Sequence, residues 1–458
     1  MRTFIGGGYL IAMSGKGPEV VSDSAIVLDG SRIAAVGTTA DLAPHKATAD
    51  RVIDARGRAI LPGFVNTHTH LAGALTKALT EDVPTFGGPF RIALGMHENI
   101  ITFEDVYLPG LVHGIEMLKT GTTTINECWW HQPQSARIIE AVGLRGIVAA
   151  EIREVDSSKI GFGRFERTWD QRLVEEGIDQ AIDLLENWHG KADGRITCRV
   201  APDGPDRLRP ETMGRLGDLA RKYGVGLHTH LCAVPGENEF MLKLWGKKSI
   251  PLLQDLGMLG PGFIGAHCVY MDDEDIGLMV DTGSCMSHTA FLVGKRGYYP
   301  PMQKVYQSGM KVSLGSDWLS NDMFNVMRSA IVIARVLYGE VGVRLAADVL
   351  SMATLDGARC LGLEAEVGSL EPGKKADVIL LDVSTAWANP LRPENLVTNI
   401  VYNACGRDVT HVFVDGECLV DDQRLTRMDE AEVIREAQHV AEDVWQRAQP
   451  LFAAEGMA

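Results

Sequence analysis

The chain has 458 residues, enough to bury a substantial core, and its 44 Lys+Arg against 60 Asp+Glu leave a formal charge of -16. With no basic run at either end, this balance disfavours a nucleic-acid or anionic-membrane platform. Hydrophobic residues at 45% and charged residues at 23% disfavour global disorder, and no apolar run approaches the roughly 18 residues of a membrane span.

The segments FIGGGYLIAM, SAIVLDG, SRIAAVG and RVIDARG are short, β-rich and separated by Gly or polar turns, which predicts a small sheet over residues 1–58. Beyond Leu61-Pro62-Gly63, strand-like segments ending in 64–70, 122–126, 146–150, 196–201, 226–230, 263–267, 283–287 and 311–317 make eight in order. Helical patterns at 102–119, 171–187, 209–223 and 250–259 alternate with them, which favours parallel α/β structure. Periodicity alone leaves two architectures: a closed eight-stranded barrel or an open sheet. VGSLEPGKKADVILLD and DVTHVFVDGECLV then read as strands rejoining the opening sheet, and 429–448 as a peripheral helix before a weakly constrained AAEGMA end.

Eight cysteines are scattered without a CxxC pair, which fits free thiols and a cytoplasmic protein better than a disulfide frame. Gly6-Gly7-Gly8 lacks the order of a dinucleotide-binding turn, and no Walker or nucleophile-elbow spacing occurs.

The strongest local signal is Phe64-Val65-Asn66-Thr67-His68-Thr69-His70. Alternation along a strand puts His68 and His70 on one face, where two imidazoles can grip a metal; a structural His pair is the bland reading. His228-Thr229-His230 repeats the placement. Asp317, ending VSLGSD, offers a carboxylate that could complete three or four ligands, and His267 after FIGA sits at another strand end.

These residues carry a resemblance to the amidohydrolase superfamily, specifically its cytosine-deaminase-like and triazine aminohydrolase or chlorohydrolase branch. LPGFVNTHTH is similar to the family's first metal strand, KTGTTT to its second-strand approach, GVGLHTHL to its fifth, FIGAHCVY to its sixth and VSLGSDWLSNDMFNVMR to its eighth. The resemblance spans nearly the whole chain. It implies a (β/α)8 TIM barrel over 59–365, a small composite β-sandwich from 1–58 and 366–425, and a C-terminal helix and tail over 426–458. It also implies one zinc ion, or iron as the alternative, on His68, His70, His230 and Asp317. His267 would meet substrate or the developing oxygen, and His228 would support the ligands. The family's bridging Lys has no counterpart in ITCRVAP, which favours one metal, and a homodimer is a further implication.

One departure stands out. Family deaminases carry a Glu three residues beyond the fifth-strand ligand, where it shuttles a proton; this chain has Ala233. Glu127, Glu151 and Glu237 are the candidate substitutes, with Glu127 ranked first as a catalytic acid and Glu237 read mainly as loop support. Asp317 is the better base, and His267 would stabilise oxygen charge.

For the substrate, Trp130 and His131 offer a planar wall and a polar handle, and His288 and Trp318 are further contacts, each also readable as ordinary packing. The connection over 71–91 is expected to cover the site. The expected activity is hydrolysis of a C–N bond in an N-heterocyclic small molecule. Chlorohydrolase, cyclic-amide hydrolase and decarboxylating reactions are the alternatives, and a noncatalytic metal-binding interaction protein is the non-enzyme reading.

Overall fold

The computed structural model describes residues 1–15, 17–79, 82, 88–156 and 167–454. The connection expected to cover the site and the AAEGMA end therefore lie partly outside the described residues.

Strands from both chain ends share one sheet. Arg2–Ile11 pairs antiparallel with Val20–Asp29, which pairs with Arg32–Thr38, while Arg51–Asp54 and Arg58–Pro62 flank Arg2–Ile11 in parallel. Val378–Asp382 then adds antiparallel to Arg58–Pro62, followed outward by Val409–Val414 and Glu417–Asp421. The apolar residues of these strands face two ways. Ile5, Ile26, Ile60 and Leu380 form a core within this unit, and Ile11, Leu61, Ile379 and Leu381 join the large core of the α/β region. Arg145, at the start of a strand of the α/β region, reaches this sheet through paired bonds of 2.9 and 3.0 Å to the buried Asp377.

The α/β region holds two parallel arrays. Phe64–Thr69, Thr122–Trp129, Arg145–Ile152 and the short Ile196–Cys198 and Ala201–Pro202 form one; Leu227–Leu231, Phe263–His267, Cys285–His288 and Lys311–Leu314 form the other. Single parallel bridges join them at both seams, Val200 to Leu227 and Thr69 to Asp317. Phe64–Thr69 and Thr122–Trp129 are buried along their whole length, as strands covered on both faces must be.

Helices fall where local chemistry starts and stops them. The Asp170 carboxylate caps Gln171–Asn187 by accepting from Arg172 N, and Val174, Ala181, Leu184 and Leu185 form its buried stripe. Asp272 and Asp275 make a capping box at Asp273–Thr282, which ends on Gly283 in the left-handed conformation that glycine adopts at low cost. The C-terminal helix, Glu430–Ala454, lies against Tyr107–Lys119 and Gly88–Asn99. All eight cysteines are free, and no helix among the described residues is long and apolar enough to cross a membrane.

Candidate active site

The C-terminal ends of the parallel strands bring the spaced histidines together. His68 and His70 project from one strand and His230 and His267 from two others, and Asp317 follows Lys311–Leu314. Nε2 of His68 lies 3.5 Å from Asp317 Oδ2, Nε2 of His70 lies 3.8 Å from Oδ1, and Nε2 of His267 lies 3.6 Å from Oδ2. Ligand atoms of His68, His70 and His230 are within 4.8 Å of one another, as are those of His68, His267 and Asp317. His230 and His267 stack at 5.3 Å with 12° between their planes.

Backbone geometry serves this convergence. His267 and Asp317 both hold positive φ, 72° and 59°, an uncommon conformation for non-glycine residues that turns their side chains inward at the strand ends. At Gly315 an added Cβ would lie 2.8 Å from His68 Cβ, so glycine is what allows this strand to pass the first ligand.

The residues fit a divalent ion. Nε2 of His68 and of His70 are buried with no hydrogen-bond partner among the described residues, a costly state unless a ligand satisfies them. Burial pushes both rings down in pKa, His70 to about 3, so they offer neutral nitrogens. Burial alone would raise Asp317, but the surrounding His68, His70 and His267 rings hold it well below the ordinary carboxylate range. Neutral imidazoles and one carboxylate make a donor set suited to zinc.

A second layer orients these groups. His228 Nε2 lies 2.9 Å from His68 Nδ1, with Asn126 3.1 Å from its other nitrogen. His70 Nδ1 pairs with the Cys128 carbonyl, His267 Nδ1 lies 2.8 Å from Thr289 Oγ1, and Asp317 Oδ1 accepts from Trp318 N at 2.8 Å. Beneath them Thr67 Oγ1 meets the hydroxyls of Ser287 and Ser313 at 2.7 and 2.8 Å.

None of the three expected acid substitutes occupies the front of the cluster. Glu127 lies between Asn126 and Cys128, whose side chains contact the inward-facing histidines, so alternation turns it outward. There it accepts from Leu71 N and Ser135 Oγ at 2.9 and 3.1 Å, and burial raises it to about 8; these contacts hold the segment after His70. Glu237 accepts from Cys232 N, Ala233 N and Ser249 Oγ, fixing the turn after His230. Glu151 Oε1 lies 2.9 Å from His230 Nδ1. Burial lowers His230, but this carboxylate outweighs it and lifts the ring to about 9.

In front of the cluster is a cavity lined by Leu94, Trp129, Arg207, Ala233, Arg296 and Trp318, among others, with His230, His267 and Asp317 at its floor. Trp318 belongs to this lining and Trp130 does not: Trp129, with its ring 4.4 Å from that of His70, stands in the wall, and Trp130 carries Arg153 at 4.4 Å. His131 lies near Phe103 at 6.4 Å, outside the lining, and His288 is tied to Tyr299 Oη at 3.1 Å, also outside it. Arg207, Arg296, Thr289 and Asp203 were missed. Asp203 directly follows the ITCRVAP segment in which a bridging Lys was sought, and an arginine within a turn gives no local signal of where its long side chain ends.

A model of the amidohydrolase family matches residues 59–419, and the chain belongs to this family. A 5-methylthioadenosine/S-adenosylhomocysteine deaminase from Symbiobacterium thermophilum is 34% identical over 450 residues, covering 96% of this chain and 98% of that protein. A 5'-deoxyadenosine deaminase from Methanosarcina acetivorans is 31% identical over 451 residues, with coverage of 96% and 98%. Among solved structures, an adenosine deaminase from Xanthomonas campestris with bound zinc superposes with a TM-score of 0.87 at 25% identity, covering 97% of this chain and 98% of that one. An atrazine chlorohydrolase from Arthrobacter aurescens TC1 complexed with zinc shares the fold, with a TM-score of 0.85 at 22% identity and coverage of 96% and 100%.

Proposed function

We propose that this chain is a zinc-dependent hydrolytic deaminase that removes an amine from an N-heterocyclic small molecule. The observation that carries the reading is the convergence on Asp317 of the buried His68 and His70 Nε2 atoms, which have no hydrogen-bond partner among the described residues. Full-length relatives named as deaminases support the choice of an amine.

His68, His70, His230 and Asp317 would hold the ion, which as a Lewis acid makes water a nucleophile at neutral pH. Asp317 would receive the proton lost by the attacking water, with its carboxylate oriented by the Trp318 N–H on Oδ1. His267, oriented by Thr289, hydrogen-bonds the oxygen developing on the attacked carbon. Trp129 and Trp318 supply faces for a flat ring and keep bulk water from it.

Ala233 favours a second reading. With Asp317 as the one carboxylate in the described cavity lining, a group leaving as chloride needs no further acid. A substrate panel with zinc or iron separates the cases: ammonia supports deamination, chloride dehalogenation, a ring-opened mass cyclic-amide hydrolysis, and carbon dioxide decarboxylation. Tight metal and ligand binding without turnover would favour an interaction protein.

The architecture completing this reading is a closed (β/α)8 barrel over 59–365, supported by the two seam bridges, with a composite β-sandwich from 1–58 and 366–425. A cytoplasmic homodimer that binds neither nucleic acid nor membrane is the accompanying proposal.

A further inference from the structure

The two nitrogens of His267 face different neighbours. Nε2 lies 3.6 Å from Asp317 Oδ2 at the cavity floor, and Nδ1 meets Thr289 Oγ1 at 2.8 Å. Which nitrogen carries the ring proton decides what the ring can do. A bare Nε2 could take a proton from water, whereas Nε2–H offers a hydrogen bond.

Thr289 lies between Cys285–His288 and the helix Ala290–Lys295, and its carbonyl accepts from Val293 N at 3.0 Å, so the first turn of that helix holds its backbone. The residue is fully buried, and His267 Nδ1 is the one hydrogen-bond partner of its hydroxyl among the described residues.

A hydroxyl has a single proton, and burying that proton without an acceptor is costly. Any state with a proton on Nδ1 would make the hydroxyl an acceptor and leave its own proton without a partner among the described residues. If that ring were neutral, its bare Nε2 would also face the Asp317 carboxylate. With the hydroxyl as donor both faults vanish: Oγ1–H meets a bare Nδ1, and Nε2–H faces the carboxylate and the cavity.

We infer that Thr289 is a positioning residue whose hydroxyl donates to Nδ1 of His267 and keeps the ring proton on Nε2, so that His267 serves as a hydrogen-bond donor and not as the base. The catalytic consequence rests on the proposed function; the place of the proton does not.

Zinc-loaded full-length protein with nitrogen-15 in its histidine rings is studied by nuclear magnetic resonance, the His267 signals being assigned by their loss in His267→Asn. Nε2 is expected to show the signal of a proton-bearing nitrogen and Nδ1 that of a bare one. A proton on Nδ1 overturns the inference. In Thr289→Val, checked for zinc content and thermal unfolding, the Nδ1 signal is expected to move, and kcat to fall about tenfold with KM nearly unchanged, the scale of one hydrogen bond. Thr289→Ser keeps the hydroxyl, is expected to preserve both readouts, and keeps the test decisive if the valine variant fails to fold. Equal losses in the serine and valine variants, or an unaltered kcat in the valine variant, also overturn it. Absence of ammonia from every amine tried would sink the deaminase reading alone, because the ring spectra are recorded without substrate and still decide where the proton sits.

Discussion

The carboxylate of Glu151 lies 2.9 Å from Nδ1 of His230, so Nε2 is the nitrogen this ring has left for the ligand cluster. Glu151 is buried and His230 mostly so, and the Asp203 carbonyl accepts from the same Nδ1 at 3.0 Å. A carboxylate behind a metal-binding histidine fixes its tautomer and raises its basicity, and losing such a partner typically weakens metal affinity tenfold to a hundredfold, roughly. Glu151→Gln is therefore expected to weaken zinc binding by about that factor in competition with a chelator. Unchanged affinity would remove Glu151 from the supporting role.

Asp317→Asn tests proton acceptance. Its amide cannot take a proton from water, and turnover is expected to fall roughly a hundredfold or more at matched zinc occupancy, measured by elemental analysis of the assayed sample. Turnover within a factor of two would assign the base elsewhere.

Zinc removal should also lower stability, because an ion that binds only the folded site stabilises it by mass action. The contribution is about 2.7 kcal/mol when free ion is a hundred times its Kd. Chelated protein is expected to unfold at a lower temperature and to recover on adding zinc. An unfolding temperature indifferent to zinc would contradict an ordered site.

Glu127 gives a pH prediction. Its carboxyl is raised from 4.5 in the reference state to about 8 in the fold, chiefly by burial. A raised acid binds more protons folded than unfolded, so its contribution is fully present below about pH 4.5 and is lost as pH climbs through 8. Glu127→Gln should flatten this decline, by an amount on the order of a few kcal/mol. Parallel stability–pH curves for the two proteins between pH 5 and 9, measured by urea unfolding, would reject the assignment.

Arg145 links the α/β region to the sheet built from the chain ends, with Asp377 and, at 3.2 Å, Asp415 as partners. Removing one member strands a buried charge at a cost of about 3–5 kcal/mol. Arg145→Ala is expected to lose that much in denaturant unfolding, and Arg145→Ala with Asp377→Ala less than the sum. Additivity would show that the two groups do not act as a pair.

Much of this was legible in residue order. The strand HTH pairs announced themselves because side chains two apart on a strand share a face, and the helix over 171–187 was readable from its apolar spacing. Glu127, expected just beyond its strand, lies within Thr122–Trp129, where the inward face belongs to its neighbours Asn126 and Cys128. Trp129 and Trp130 differed by one residue, and only their packing against His70 and Arg153 distinguished wall from support.

The amino-acid order by itself determined the alternating elements, the ligand types and the missing acid at Ala233, because these depend on local periodicity and on side-chain chemistry. Which carboxylate stands behind His230, and which arginines enter the cavity, was decided only when strands distant in sequence came side by side. A long side chain is placed by the neighbours that fold around it, and its own segment holds no record of them.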